Sequence, residues 1–338
     1  MAYRMQALQI DGINEPAHLQ EVTTPTPGPG QVLVQLHAAA LNHRDVWIQK
    51  GQYAGLKFPC ILGSDGAGVI MAVGEGADAG WQGQAVVINP GHNWGDNPRA
   101  QGRSFTILGL PAQGTFAEYV CVEARYVHPL PRHLSFEQGA ALPLGGVTAY
   151  RAAFTRAGLQ AGERVLISGI GGGVALLALQ MAVAVGAEVW VTSGSAEKLE
   201  RARQLGAKGG ISYQQEKWAS ELVKQAGGAF DVIIDSAAGP GFEALLDAAA
   251  PGGRIVFYGG TLGAIPQLPP AKVFWKQLSV LGSTMGTEQD FAAMVDLFEQ
   301  HQLVPVIDQV FPLAEGETAL RRMDQGQQFG KIVLKIKE

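Results

Sequence analysis

The chain is poor in cysteine: Cys60 and Cys121 are its whole complement in 338 residues. Two thiols are too few for a disulfide framework or for a thiolate zinc cluster. Long apolar runs are missing as well. None reaches the roughly 20 residues that a bilayer span needs, and the opening Met1-Ala-Tyr-Arg-Met-Gln6 lacks the apolar stretch of a secretory signal. Charge is sparse too, at 16% of residues, and the net charge of −5 includes no basic stripe that would follow a nucleic-acid backbone. These absences argue against a secreted disulfide scaffold, a membrane protein and a nucleic-acid binder, and they fit a cytoplasmic protein acting on small molecules. What the chain does have is glycine, 45 residues scattered as turn punctuation, and an apolar fraction of 47%. In a chain about twice the usual domain length, that is enough apolar sequence for two cores.

The two parts differ in pattern. Gly30-Gln-Val-Leu-Val-Gln-Leu-His37 alternates apolar and polar residues, the period of a half-buried strand, after a turn-rich Thr24-Pro-Thr-Pro-Gly-Pro-Gly30. Further short strands are expected at 68–73, 84–88 and 116–122, separated by glycine and proline, which is the pattern of an irregular β-domain. From about Ser135 the pattern becomes alternating helix and strand. Helices are expected at 136–141, 148–155, 175–185 and 196–205, and strands at 164–167, 188–191, 232–235 and 254–259. Such alternation implies an α/β fold with a doubly wound parallel sheet. A helix at 289–300 and a strand at 331–336 follow, and that last strand is expected to return to the first domain. The expected division is 1–130, 131–280 and 281–338, the outer segments forming one domain.

Arg164-Val-Leu-Ile-Ser-Gly-Ile-Gly-Gly-Gly-Val-Ala-Leu-Leu carries the most chemical information. An apolar strand enters a cluster of Gly169, Gly171, Gly172 and Gly173, and a helix leaves it. Strand, tight turn and helix in this order open a dinucleotide-binding βαβ unit, whose turn lets backbone N–H groups approach a pyrophosphate. The fingerprint is imperfect, reading Gly169-x-x-Gly172-x-x-Ala175 with Ile170 where the first glycine of Gly-x-Gly-x-x-Gly would fall. A glycine-rich turn with no ligand has the same look. The next strand, Glu188-Val-Trp-Val-Thr192, separates the two readings, because NAD sites place an acid at its tip to bind the ribose hydroxyls. Here the tip is Ser193-Gly194-Ser195, followed by Lys198 and Arg201. An acid would repel a 2′-phosphate, whereas hydroxyls and cations accept one. NADP is therefore expected. The alternative for Lys198 and Arg201 is an ordinary solvated helix face.

Six segments together resemble the medium-chain dehydrogenase/reductase superfamily, and within it the zinc-free quinone-oxidoreductase-like branch. They are Gly28-Pro-Gly-Gln-Val-Leu-Val34, Leu41-Asn-His-Arg-Asp45, Phe58-Pro-Cys-Ile-Leu-Gly-Ser-Asp-Gly-Ala-Gly68, Gly114-Thr-Phe-Ala-Glu-Tyr-Val120, Leu142-Pro-Leu-Gly-Gly-Val-Thr-Ala-Tyr150 and Gly330-Lys-Ile-Val-Leu334. Their order and spacing run the length of the chain. The resemblance implies a GroES-like catalytic domain built from both chain ends, a Rossmann domain between them, and substrate bound in the cleft. It also marks the metal positions. Zinc-dependent members have a cysteine at Asn42, a His-Glu pair at Ser64-Asp65 and another cysteine at Leu144, and four cysteines in a lobe near 89–105 that here holds none. Both zinc sites are expected to be lost. A residual metal on His43 and Asp65 is the weaker alternative, since the seven histidines show no ligand spacing.

Without a Lewis acid, reduction of an activated C=C bond or a quinone is easier than reduction of a simple carbonyl, because the conjugated carbonyl is itself the electron sink. The resemblance offers Tyr53 as proton donor, or else as an aromatic wall, and Asn42 as a hydrogen-bonding group for a substrate carbonyl, or else as a turn or cap residue. Asp45 and Asp65 are expected to be structural, paired with Arg44 or another cation. The cofactor set it implies is Thr148 at the nicotinamide, Gly169, Gly171, Gly172, Gly173 and Val174 at the pyrophosphate, and Ser193, Gly194, Ser195, Lys198 and Tyr213 around the 2′-phosphate. Ser236, Gly259, Gly260, Met285 and Lys331 complete it. The partner expected is a second copy, pairing through an apolar edge around 279–282. Two other functions stay open: an alcohol dehydrogenase or aldehyde reductase, and a non-catalytic NADPH-binding protein.

Overall fold

The alternating run after Gly30 forms the strand Gln31–Ala40, which buries Val32, Val34 and Leu36 completely. In the computed structural model, which describes residues 3–337, this strand organises a seven-stranded sheet. Asp65–Val73 and Tyr119–Glu123 pair with it antiparallel, and so does the terminal strand Lys331–Lys335, with Val333 opposite Ala40. Ile307–Pro312 then pairs parallel with the terminal strand. The end of the chain thus returns to its beginning, as its apolar Ile332, Val333 and Leu334 require, for all three are fully buried. One compact unit comprises the chain up to Gly145 together with the part from Thr287 onward.

That unit runs past the expected boundary at 130. The reason is the helix Phe136–Ala140, whose Gly139 sits so close to Leu130, Val87 and Ala67 that a Cβ would clash, and whose Ser135–Gln138 capping box fixes its start. The lobe at 89–105, without cysteines, is closed by aromatic packing. His92 stacks on Tyr126 with centroids 4.0 Å apart, and Trp94 meets Phe105 edge-on at 5.3 Å. Burial lowers the His92 pKa to about 4, so the ring stays neutral at ordinary pH.

The second unit, Gly146–Gly286, is a parallel sheet of six strands. Its spatial order is Gly209–Ser212, Glu188–Ser193, Arg164–Ile167, Phe230–Asp235, Ala249–Phe257 and Ser279–Gly282. The order reverses between Arg164–Ile167 and Phe230–Asp235, so the carboxyl ends of these two strands flank the switch point where open α/β sheets bind ligands. The unit extends to Gly286 rather than 280, since the Arg156 guanidinium donates to the Gly282 carbonyl at 3.0 Å and Met285 packs on Thr148.

Several elements differ from expectation. The helix expected at 148–155 begins at Pro143, and over Arg151–Arg156 its bonds lengthen to π spacing. The strand expected at 254–259 ends at Phe257, which leaves Tyr258, Gly259 and Gly260 in the loop. Gly209–Ser212 was hidden by its two glycines, and the helices Trp218–Gln225, Phe242–Ala248, Pro270–Trp275 and Gly316–Asp324 were not foreseen. Among the described residues, no helix is long and apolar enough to cross a membrane.

Candidate functional site

In the first unit the site starts where the strand Gln31–Ala40 ends and the helix His43–Gln49 begins. The Asp45 carboxylate accepts the Asn42 backbone N–H at 2.8 Å and the Gly63 N–H at 3.3 Å, an acid in the first helical turn satisfying donors that would otherwise be orphaned. Complete burial pushes its pKa up to about 6, against the pull of the neighbouring Arg44 charge. Asn42 is the N-cap residue of the helix, and its side-chain amide also reaches beyond the cap.

That amide belongs to a buried network centred on Lys331. An ammonium has three N–H donors and no lone pair. All three are used here: on the Leu41 carbonyl at 2.8 Å, on Asn42 Oδ1 at 2.7 Å and on Asp65 Oδ2 at 2.9 Å. Asp65 Oδ2 also accepts from Asn42 Nδ2 at 3.0 Å, and Asp65 Oδ1 accepts the Leu144 backbone N–H at 2.8 Å. The Lys331 and Asp65 side chains are 5% and 0% exposed. Of the metal-ligand positions of the resemblance, Asn42, Asp65 of the Ser64-Asp65 pair and the Leu144 backbone therefore meet around an ammonium ion, while Ser64 turns to Arg44 and the Leu108 carbonyl.

This donor set does not fit zinc. It offers one carboxylate already neutralised by a cation, one amide, a leucine and a serine hydroxyl bound to Arg44 and the Leu108 carbonyl, where a catalytic zinc needs three Cys, His or carboxylate ligands. Nor do His43 and Asp65 form the alternative pair. His43 is exposed beside Trp47, with ring centroids 6.1 Å apart, while Asp65 is sealed under Lys331. Among the described residues, no three His, Cys, Asp or Glu are placed to hold a metal ion. Lys331, expected among the cofactor contacts, commits its charge to this network because a buried ammonium requires a counter-charge and full hydrogen bonding.

Tyr53 lies half-buried against the Arg44 guanidinium, whose central carbon is 5.0 Å from the ring centroid. Arg44 is the residue that sequence reasoning undervalued, treating it only as a partner for an aspartate. It pairs with neither Asp45 nor Asp65; its Nη1 donates to Ser64 Oγ at 2.7 Å and to the Leu108 carbonyl at 2.8 Å. A charged residue followed by the apolar Val46 and Ile48 was the available signal that it is buried.

The second unit gathers most of the expected cofactor residues. Gly169 and Gly171 have φ of +64° and +131°, conformations that need glycine, while Gly172 starts the helix Gly173–Ala184 at φ −73° with open space where its Cβ would stand. Gly173 and Val174 form the first turn of that helix, where N–H groups point outward. Lys198 lies across the loop; a Cβ on Gly171 would come within 3.2 Å of its ammonium nitrogen. Ser193, Gly194, Ser195 and Tyr213 also come together. The Ser193 hydroxyl accepts the Ser195 N–H at 3.1 Å, Ser195 caps the helix Ala196–Gln204 through the Lys198 N–H at 3.3 Å, and a Cβ on Gly194 would stand 2.8 Å from the Tyr213 hydroxyl. Arg201 turns instead toward Glu197, at 4.0 Å.

Across the switch point, Ser236 lies near Gly169, and Gly259 must be glycine because a Cβ would come within 2.6 Å of the Ser236 carbonyl oxygen. Asp235 holds this turn by accepting the Ser168 hydroxyl and the N–H groups of Ala237 and Ala238, the last two at 3.2 and 2.7 Å. Gly260 is in the exposed loop that follows. Thr148 is buried with its hydroxyl 4.0 Å from the Met285 sulfur, and Met285 adopts φ +42°, a strained backbone for a side chain of that size.

Comparison with known proteins agrees with the fold. The model of the alcohol dehydrogenase GroES-like domain matches residues 28–132, and that of the zinc-binding dehydrogenases matches residues 173–300. A zinc-type alcohol dehydrogenase-like protein of Leptosphaeria maculans, YogA, is 35% identical over 95% of both chains. The human quinone oxidoreductase is 31% identical over 98% of this chain and 97% of its own. Among solved structures, that of a NAD-dependent alcohol dehydrogenase superposes with a TM-score of 0.92 at 38% identity, covering 99% of this chain and 100% of the other.

Proposed function

The chain belongs to the medium-chain dehydrogenase/reductase superfamily, and we propose that within it the protein is a zinc-independent oxidoreductase that reduces quinones or α,β-unsaturated carbonyl compounds with NADPH. The observation that carries this reading is the buried Lys331–Asp65–Asn42 network, which puts an ammonium among the positions where a metal would need its ligands. A dication added there would face that ammonium at close range.

The preference for NADPH rests on the tip of Glu188–Ser193, where no carboxylate stands to repel a 2′-phosphate and where Ser193, Ser195, Lys198 and Tyr213 converge. Gly172 and the start of the following helix would hold the pyrophosphate, and Thr148, Ser236 and Gly259 the nicotinamide half. When bound, the dihydronicotinamide supplies a hydride. The chain's own residues do the rest. Asn42 donates one Nδ2 hydrogen to Asp65 and keeps the other for a substrate carbonyl, with the amide held in that orientation by Lys331. The Tyr53 hydroxyl delivers the proton that completes the reduction. The strand Ser279–Gly282 is at the edge of its sheet and would pair with its copy in a homodimer.

The test is NADPH oxidation by chelator-treated protein with 1,4-naphthoquinone, cyclohexenone and butanal, with metal content assayed on the same sample. Turnover of quinone or enone at less than a tenth of an equivalent of metal is expected. Butanal turnover that disappears with the metal would establish the alcohol dehydrogenase reading instead. Tight NADPH binding with no turnover of any of the three would favour a non-catalytic binding protein.

A further inference from the structure

We infer that Arg44 is a positioning residue for Tyr53: it fixes the direction of the phenol's hydrogen bond, so that the phenolic hydrogen is left for the substrate. This rests on the reading of Tyr53 as proton donor. A phenol hydroxyl both donates and accepts, and which role it plays depends on its neighbour. The neighbour here is the Arg44 Nε, 3.4 Å from the Tyr53 oxygen, with the guanidinium also lying against the ring. A guanidinium has no lone pair, so at this contact the phenol can only accept. The Tyr53 O–H has no protein acceptor among the described residues, and its proton is unspent. A residue with an acceptor at position 44 would instead draw that proton away from the site.

Arg44 is held for this task. Its Nη1 is fastened to Ser64 Oγ and the Leu108 carbonyl, and Ser64 in turn donates to the same carbonyl at 2.8 Å, so neither partner can rotate freely. Gly109, with φ +95°, lets the chain pass close; a Cβ there would stand 3.2 Å from Arg44 Nη1. Arg44 is 5% exposed, its Nη2 has no partner, and among the described residues no carboxylate pairs with it. A buried cation without a carboxylate costs stability, and retaining one beside a phenol is intelligible if negative charge forms there. In the step itself, the substrate's β-carbon takes up the hydride that a bound dihydronicotinamide would supply, and the substrate becomes an enolate. The Tyr53 O–H bond then breaks, its proton going to the enolate and its electron pair remaining on the phenol oxygen. The resulting phenolate faces Arg44 until water returns a proton. Atoms and charge balance, and no other reactant is required.

The experiment is steady-state kinetics with cyclohexenone on the full-length protein, its Tyr53→Phe, Arg44→Gln and Arg44→Lys variants, and the Arg44→Gln/Tyr53→Phe double variant. NADPH affinity is measured separately by fluorescence titration. Tyr53→Phe is expected to lower kcat about 100-fold or more, as for loss of a general acid. Arg44→Gln should lower kcat about 10- to 100-fold, the size of one hydrogen bond from a charged donor, with NADPH affinity unchanged. Arg44→Lys, which keeps a cationic donor, should recover part of the loss. In the Tyr53→Phe background, Arg44→Gln should cost nothing further. Should Arg44→Gln fail to fold, Ser64→Ala loosens the anchor instead, and it should slow the enzyme only when Tyr53 is present. Equal losses from Arg44→Gln, or from Ser64→Ala, in both backgrounds overturn the inference while leaving the function intact. No turnover by the unaltered protein of either quinone or enone overturns the reading of the site and the inference with it.

Discussion

At the scale of single residues, the first unit owes its chemistry to ionisable groups placed where water is absent. Lys331 and Asp65 make an ion pair whose members are almost unexposed, and such a pair is costly to break from one side. Lys331→Met is expected to destabilise the protein by about 3–5 kcal/mol, because it leaves a carboxylate buried and uncompensated. Adding Asp65→Asn should recover much of that loss, and urea denaturation of Lys331→Met, Asp65→Asn and the double variant would show it. Additive losses would mean that the two residues act separately.

Asp45 gives a second residue-scale expectation, with a definite sign. Its folded pKa of about 6 lies above the ordinary 3.8, so the folded protein keeps a proton that the unfolded chain has already released. The contribution of this group is fully present below pH about 4 and is lost as pH rises through about 6. A shift of about two units corresponds to about 3 kcal/mol. Asp45→Asn should therefore flatten the stability profile between these limits, and thermal unfolding across that pH range reads it directly.

At the scale of elements, the glycine loop shows what a motif leaves open. The fingerprint marks four glycines without ranking them. The backbone makes Gly169 and Gly171 obligatory through positive φ, and gives Gly172 a different duty, an unobstructed face at a helix start. In the proposed reading the same βαβ unit sets the cofactor preference through the residue ending Glu188–Ser193. Ser193→Asp places a carboxylate where a 2′-phosphate would lie. NADPH affinity should fall by at least tenfold, about 1.4 kcal/mol, while NADH binding improves or holds. Parallel fluorescence titrations decide it. Equal effects on both cofactors would show that the strand tip does not read the ribose.

At the scale of the whole molecule, the edge of the parallel sheet is the feature left unfinished. Among the described residues Ser279–Gly282 pairs only with Ala249–Phe257, and its Val280 and Leu281 are half-buried. The adjoining helix Pro270–Trp275 exposes Phe274 and Trp275 by 59% and 84%. Exposed backbone and apolar side chains on one margin are a liability unless a partner covers them. Sedimentation velocity should give a dimer for the native protein, and Leu281→Lys should shift it toward monomer with the sheet intact by circular dichroism. A native monomer would remove the dimer from the proposal.

The sequence by itself determined the classes of element and most of their places, because hydrophobic period and glycine–proline punctuation are local properties. The alternation at 31–37, the strands around 164 and 188, the glycine loop and the returning terminal strand were legible for that reason. Their limits were less so. The boundary at 145 depends on Gly139 packing against Leu130 and Val87, which no local pattern reports. Tertiary structure alone decided the site in the first unit. Lys331 is 266 residues from Asp65, and they meet because the last strand pairs with Gln31–Ala40, which places the Leu41 N–H on the Ile332 carbonyl at 2.9 Å. Arg44 and Tyr53 are near in sequence, yet the direction of their contact follows from Ser64 and Leu108, brought in by distant strands and loops. A buried charge must find its partners wherever folding brings them, and no periodicity in the chain records where that is.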